Sequence, residues 1–334
     1  MEIKITKIWQ LLRNIRYKHI RKVLYRRAIS MKESEYEEYL ISRTFEFFKR
    51  YEYSNQYAYK IDFSNPITYT EKMQWLKLYD QSEKKTKYSD KYEVRKHISL
   101  VLGEKYLIPL ISINGIDCFE NVKQINFDAL PNQFVLKCTH GSHMNIIVKD
   151  KSRLSNKDIR VIKRKLNHWL NTNYAFVVSC ELQYKDIKPR IIIEKYMDDG
   201  QPTLCDYKVF CYSGVPKFIS INQFRGTEKY CESYFDLDFK PLPYTLGNHL
   251  VNPDIQRPQQ LPKLIEFSRL LAEDFAHIRV DFYIINGNIY FGELTFSPGA
   301  GYDFPNPMLY DKELGELVTV DKSKRKDNFR YRKH

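Results

Sequence analysis

The stretch that most constrains the fold is HIRVDFYIINGNIYFGELTFSPGAG, residues 277–301. Arg279 to Ile285 and Ile289 to Phe296 are rich in β-branched and aromatic residues, with Asn286-Gly287-Asn288 as turn chemistry between them, so a β-hairpin is predicted. Register decides what it can do. Side chains alternate along a strand, so a two-residue loop would send Asp281 and Glu293 to opposite faces. A three-residue loop, 286–288, pairs 285 with 289 and therefore 281 with 293. Asn288 tolerates the left-handed conformation on which such loops end. In that register Arg279, Asp281, Glu293 and Thr295 share one face, and their strand neighbours Val280, Phe282, Ile284, Leu294 and Phe296 are apolar. Two carboxylates directly opposite each other weaken a sheet. A hard divalent cation such as Mg²⁺, held by carboxylate and phosphate oxygens, would offset that. The competing reading is that Arg279 merely pairs with both acids at a solvated sheet end.

A chain of 334 residues suggests about two domains and has ample length for a buried core. With 26 Tyr and 20 Phe it is not disordered. It has no apolar run of bilayer-crossing length, and its charged N-terminus lacks the apolar region of a signal peptide. The cysteines at 118, 138, 180, 205, 211 and 231 show no CxxC spacing; reduced cytosolic thiols are expected, without metal. The net charge of +13 sits at the ends: +8 in residues 1–30, +5 in residues 321–334, and zero between them.

Residues 3–29 interleave Ile, Leu, Val and Trp9 with Lys and Arg at partly helical spacing. A basic amphipathic helix of this kind reads as an anchor on an anionic membrane surface. A helix packed on the body is the alternative. Nucleic acid is not expected as a partner, because no nucleic-acid-binding pattern accompanies the charge. Residues 31–60 read as helical and aromatic. Thr70 with Glu71 opens a short helix, 80–87 is a polar loop, and Asp90 caps a helix to about Leu102, ended by Gly103. Lys91 falls in that helix's first turn, where the dipole disfavours a cation unless an anionic ligand is near.

Strands are then expected at Tyr106–Ile113, Gln133–Thr139 and Asn145–Lys149. The loop His140-Gly141-Ser142-His143 either lays backbone N–H groups on phosphate oxygens or is an ordinary turn. A helix follows over 155–171, then a buried strand from Arg190 to Met197 and a hairpin, 206–210 with 217–221, about Ser213-Gly214. A Pro-rich connection, 241–262, leads to a helix at 263–276 and the hairpin described first.

These pieces resemble, in order, the ATP-grasp ligases. RVDF, a turn and GELTFSPGAG look like that superfamily's metal motif, FVLKCTHGSHMNIIVKD like its phosphate-covering segment, DKYEVRKHI like its Asp-Lys helix, and IIIEKYM like its adenine hinge. The closer resemblance, over nearly all of 60–315, is to the TupA-like ATP-grasp group, associated with bacterial cell-surface polysaccharide and teichuronopeptide synthesis. TYTEKMQWLKLYD, KLNHWL and DYKVFCYSG add to it. The resemblance implies an α+β ATP-grasp fold with a mainly helical N-terminal region and basic termini. Its parts would be a basic helix (1–30), a helical and α/β region (31–115), an ATP-grasp nucleotide-binding and catalytic region (116–320) and a basic tail (321–334).

It further implies that Lys91 and Lys137 contact ATP phosphates, under the loop His140, Gly141, Ser142 and His143. Glu194 and the backbone of Lys195, Tyr196 and Met197 would hold adenine, and Asp199 the ribose. Lys208 would touch the γ-phosphate, Asp281 and Glu293 would bind Mg²⁺, and Arg279 would stabilise the acyl-phosphate and tetrahedral intermediate. Thr295 stands where these ligases usually carry Asn, which bears on a second metal.

The implied activity is ATP-dependent amide formation between a carboxylate and an amino acid or amine. The carboxylate would belong to a hexuronic acid of a surface glycan or a nucleotide sugar. The location implied is cytoplasmic, peripheral at the inner face of the membrane. The alternatives are a sugar-modifying transferase or kinase using the same nucleotide site, and a non-catalytic membrane-docked scaffold.

Overall fold

The computed structural model describes residues 22–50, 61–273 and 275–327. The predicted basic helix therefore lies mostly outside the described residues. Its described part, 22–30, is helical and docks on the body: Ala28 is buried, and the Tyr25 hydroxyl accepts from the Asn173 amide at 3.0 Å.

Helices α1 (Tyr36–Arg50), α2 (Tyr69–Tyr79), α3 (Glu83–Ser89) and α4 (Val94–Val101) form the N-terminal body. The α2 cap is Thr68, not Thr70: Glu71 N–H donates to Thr68 Oγ1 at 3.3 Å and the Glu71 carboxylate accepts from Thr68 N–H at 3.0 Å. Thr70 instead donates through N–H and Oγ1 to Asp311, both at 2.9 Å. Of the polar stretch 80–87 only 80–82 is a loop, because Ser82 caps α3 by accepting from Lys85 N–H at 3.2 Å. Asp90 accepts from Tyr92 and Glu93 N–H, so Lys91 sits in the turn before α4.

A first sheet holds β1 (Cys118–Phe119), β2 (Phe134–Cys138), β3 (Asn145–Val148) and, after helix α5 (Asn156–Leu170), β4 (Ile191–Lys195), in the order β1-β4-β2-β3. The strand predicted over 106–113 is reduced to two isolated bridges, Ile113 with Ile116 and Leu110 with Glu194 of β4, the latter flanked by Ile111 N–H to Ile193 O and Lys195 N–H to Pro109 O. Pro109 lacks the donor a longer ladder needs.

The second sheet contains β5 (Asp206–Tyr212), β6 (Val215–Gln223) and β7 (Cys231–Asp236). A short strand β8 (Thr245–Leu246) and helix α6 (Leu261–Ala272) follow, then β9 (His277–Ile285) and β10 (Asn288–Thr295), giving the order β10-β9-β5-β6-β7. Alternation divides its faces. Val209, Cys211, Ile219, Val280 and Phe282 pack with Leu264, Phe267 and Leu271 of α6, while Phe210, Tyr212, Phe218 and Tyr234 join the core of the N-terminal body. Strand β11 (Pro305–Asn306) pairs with β8, and helices α7 (Asp311–Leu317) and α8 (Ser323–Asp327) close the described chain. No helix among the described residues is long and apolar enough to cross a membrane.

The hairpin is built differently from the prediction and arrives at the same pairing. Its loop has two residues, Asn286 (φ 50°) and Gly287 (φ 79°), the left-handed pair of a type I′ turn, and Asn288 already pairs with Ile285. The ladder is regular to Phe291 opposite Phe282. The register then shifts by one at Gly292, a β-bulge, and Glu293 pairs with Asp281.

Candidate active site

The β5–β9 and β9–β10 registers set Lys208, Asp281 and Glu293 side by side across three strands. Lys208 Nζ lies 3.7 Å from Asp281 Oδ2. Arg279, two residues back along β9, grips Asp281 through both carboxylate oxygens at 2.7 and 2.6 Å and also donates to Thr295 Oγ1 at 3.2 Å. Thr295 Oγ1 donates in turn to Glu293 Oε1 at 3.2 Å.

Burial opposes ionisation of Glu293, but Lys91, Arg279, Lys208 and Arg225 outweigh it and hold the carboxyl down to about 2. Burial pushes the Asp281 carboxyl up even with Arg279 and Lys208 beside it. Asp281, Glu293 and Thr295 thus offer hard oxygen donors, and a divalent cation there would keep Asp281 ionised. Among the described residues no group of three or more His, Cys, Asp or Glu forms a metal cage. Mg²⁺ needs none where one or two carboxylates are completed by phosphates and water.

Lys91 Nζ donates to the Gly141 carbonyl at 2.7 Å and lies 3.6 Å from Glu293, tying the 140–143 loop to the acidic row. Gly141 is pressed against Tyr174, whose ring would lie 2.5 Å from a Cβ at this position. Ser142 and His143 (φ 59°) line a cavity of about 690 Å³ together with Lys208, Arg279, Glu293 and Thr295. His140 does not line it: its Nε2 lies 2.9 Å from the Trp169 carbonyl at the end of α5.

A second cavity, of about 350 Å³, lies between the sheets. Val135, Lys137, Ile147 and Glu194 line it from one side, Asp206 and Tyr283 from the other. Lys137 Nζ is 2.6 Å from Glu194 Oε2. Tyr196 and Met197 face this space; Lys195 lines it too, but its N–H is taken by Pro109. Asp199 lies outside the lining. Its carboxylate closes a turn on Gln201 N–H at 3.0 Å, and Asp198 takes the lining position.

The sequence reading missed Arg225, which lines both cavities and reaches Asp206 at 3.4 Å. An arginine beside glycine in the turn after β6 was the available signal. Glu181, Glu232 and Asp303, in the larger cavity, were also missed; none of them belongs to a motif that the sequence reading picked out for chemistry.

A family model described as TupA-like ATP-grasp matches residues 71–319, and the chain belongs to that family. Similar solved structures include D-alanine–D-alanine ligase from Bacillus anthracis complexed with ATP (13% identity, TM-score 0.40, covering 77% of this chain and 66% of that one). The D-alanine–D-alanine ligase from Helicobacter pylori gives 15% identity, TM-score 0.41 and coverage of 75% and 69%. An L-amino acid ligase from Bacillus licheniformis gives 12%, 0.41, and 79% and 56%. The matched region spans two thirds or less of the Bacillus enzymes' length. No curated protein matches the chain.

Proposed function

We propose that this protein is an ATP-dependent ligase that joins a carboxylate to an amine through an acyl-phosphate. The observation that carries the reading is the row Lys208, Asp281 and Glu293, with Arg279 and Lys91 against it, where two cavities meet at Arg225. The cavity between the sheets suits a nucleobase, with Tyr196 and Met197 supplying backbone contacts. Lys137, which lines that cavity, would lie between base and phosphates, Lys91 and the loop residues Ser142 and His143 toward the phosphates, and Lys208 toward the γ-phosphate. Mg²⁺, held by Asp281 and Glu293 with Thr295 alongside, would neutralise phosphate charge when bound.

Arg279 is held rigid by Asp281 and Thr295. Its Nη1 makes no hydrogen bond to any described residue, and the side chain lines the larger cavity. It is preorganised to stabilise negative charge on an acyl-phosphate or tetrahedral oxygen. For the carboxylate we favour a hexuronic acid of a bacterial surface polysaccharide or its nucleotide-sugar precursor, and for the nucleophile an amino acid or amine. Both come from the association of TupA-like proteins with such polymers. Residues 1–30 would hold the enzyme at the inner face of the cytoplasmic membrane.

The test is ADP release with Mg-ATP across a panel of UDP-uronic acids, each with and without amino acids. Amine-dependent release, abolished by Glu293→Gln, is expected. Phosphoryl transfer to a hydroxyl, or full activity in the variant, would overturn the reading. Loss of anionic-vesicle binding on removal of residues 1–30 tests the membrane role; unchanged binding rejects it.

A further inference from the structure

Besides Glu293, three carboxylates line the larger cavity, Glu181, Glu232 and Asp303, and they are not equivalent. Glu232 is satisfied: Tyr234 OH, Tyr230 OH, Asn222 Nδ2 and Ser220 Oγ donate to it at 2.7, 2.9, 2.9 and 3.2 Å. Glu181 is 4% exposed, and only one of its oxygens is bonded, Oε1, by Ser297 Oγ at 2.8 Å. Its Oε2 accepts no hydrogen bond from any described residue, although the side chain lines the cavity. Asp303 also lines the cavity, and neither of its oxygens is hydrogen-bonded by a described residue.

One turn brings these two acids to the same space. Residues 299–301 all have left-handed backbone, with φ of 53°, 57° and 76°. The turn is held from beneath, where Lys77 Nζ donates to Ala300 O at 2.7 Å and Gln74 Nε2 to Gly301 O at 2.6 Å. Ser297, entering the turn, meets Glu181, and Gly299 lies under the Asp303 carboxylate: a Cβ at 299 would be 2.1 Å from Asp303 Cγ. Glycine is therefore required for Asp303 to turn inward.

Lys77, which favours the Glu181 charge, does not hydrogen-bond it and donates instead to Gln74, Ser179 and Ala300; Arg279, His249 and Lys208 favour the Asp303 charge, and none of them is hydrogen-bonded to it. Val177, Val178 and Trp169 supply apolar wall to the same cavity. A buried carboxylate with an unbonded oxygen facing a cavity takes its missing donors from whatever fills that cavity, water or a ligand. A primary ammonium offers three donors and a positive charge on a small apolar stem.

We propose that Glu181 and Asp303 form a binding subsite for a primary ammonium group, the amine partner of the ligation. The assignment of that partner rests on the ligase reading above; the ammonium preference of the subsite does not. Burial raises the Glu181 carboxyl to about 7 against the pull of Lys77, with Asp303 and Glu293 adding to the rise. Burial and the Glu232 charge raise Asp303 to about 6 against the pull of Arg279, His249 and Lys208. An ammonium bound between them would return both to the ionised form.

The full chain, with and without Mg-ADP, is titrated with L-alaninamide, a primary ammonium without a carboxylate. Lactamide, its neutral hydroxyl counterpart, is the control, and binding is read by saturation-transfer NMR. The wild type should bind alaninamide and not lactamide. Glu181→Gln and Asp303→Asn should each weaken alaninamide at least tenfold while Mg-ADP affinity stays within twofold, which shows the site still folded. Wild type that ignores alaninamide, equal binding of the two amides, or variants that bind alaninamide normally would overturn the subsite. Failure of every form to bind Mg-ADP would instead count against the nucleotide reading, and the alaninamide result would still decide the subsite.

Discussion

Glu293 faces Asp281 because Gly292, one residue earlier on β10, is bulged out of the ladder. Without the bulge Gly292 would itself stand opposite Asp281, and Glu293 would point toward α6. The bulge also lets the strands approach closely, since a Cβ at 292 would lie 3.0 Å from the Asp281 carbonyl oxygen and 3.3 Å from the Tyr283 ring. Gly292→Val should therefore push the two carboxylates apart. We expect ADP release to fall at least tenfold, with modest loss of stability, on the order of 1–3 kcal/mol for an overpacked site. Unchanged turnover would show that the spacing is not critical.

Arg225 stands where the two cavities meet and is only loosely paired, at 3.4 Å from Asp206. A triphosphate running from one cavity to the other would pass it. Arg225→Ala should raise the KM for ATP by about tenfold, the scale of one charge-assisted hydrogen bond. Thermal stability should barely change, since its side chain is half exposed. A KM unaltered by the substitution would place the phosphates elsewhere.

How much of this was legible depends on what each residue's position rests on. The pairing of 281 with 293 was readable only on a three-residue loop, which takes up the odd residue between them in the turn. Where it is absorbed was not: Asn-Gly prefers the two-residue turn, and the extra residue moves to Gly292. Helix α3 was illegible because its seven residues, EKKTKYS, carry no apolar period; its evidence was the Ser82 cap. The donor at Lys195 looked free, but Pro109, some 86 residues earlier, occupies it. Glu181 and Asp303 lie on irregular segments with no periodicity, so nothing local announces that one turn will bring them to a shared cavity.

Lys77 belongs to the segment YTEKMQWLKLY, which is buried on nearly every side. It is a fully buried cation whose ammonium braces Ala300 O, Ser179 Oγ and Gln74 Oε1. Lys77→Met would fill similar volume and leave those acceptors without a donor. We expect a loss of about 2–4 kcal/mol, read as a lower midpoint in urea unfolding, and weaker alaninamide binding because the 299–301 turn is released. A variant as stable as the wild type would mean that the turn holds itself.

Glu181 gives the stability of this protein a pH dependence of known sign. Its carboxyl is raised from an unfolded value near 4.5 to about 7 by burial, so the folded state retains a proton that the unfolded chain has lost between those values. Stability contributed by this group therefore falls as pH rises from about 4.5 to 7, and the deficit persists above 7. Lys77, Ser297, Asp303 and Glu293 surround it; the first two favour its charge and the last two oppose it. Glu181→Gln keeps the shape, cannot ionise, and removes the deficit. At pH 5 variant and wild type should melt together; at pH 7.5 the variant should melt a few degrees higher. Equal melting temperatures at both values would mean that Glu181 ionises without cost, as a carboxylate does when a cation already sits beside it.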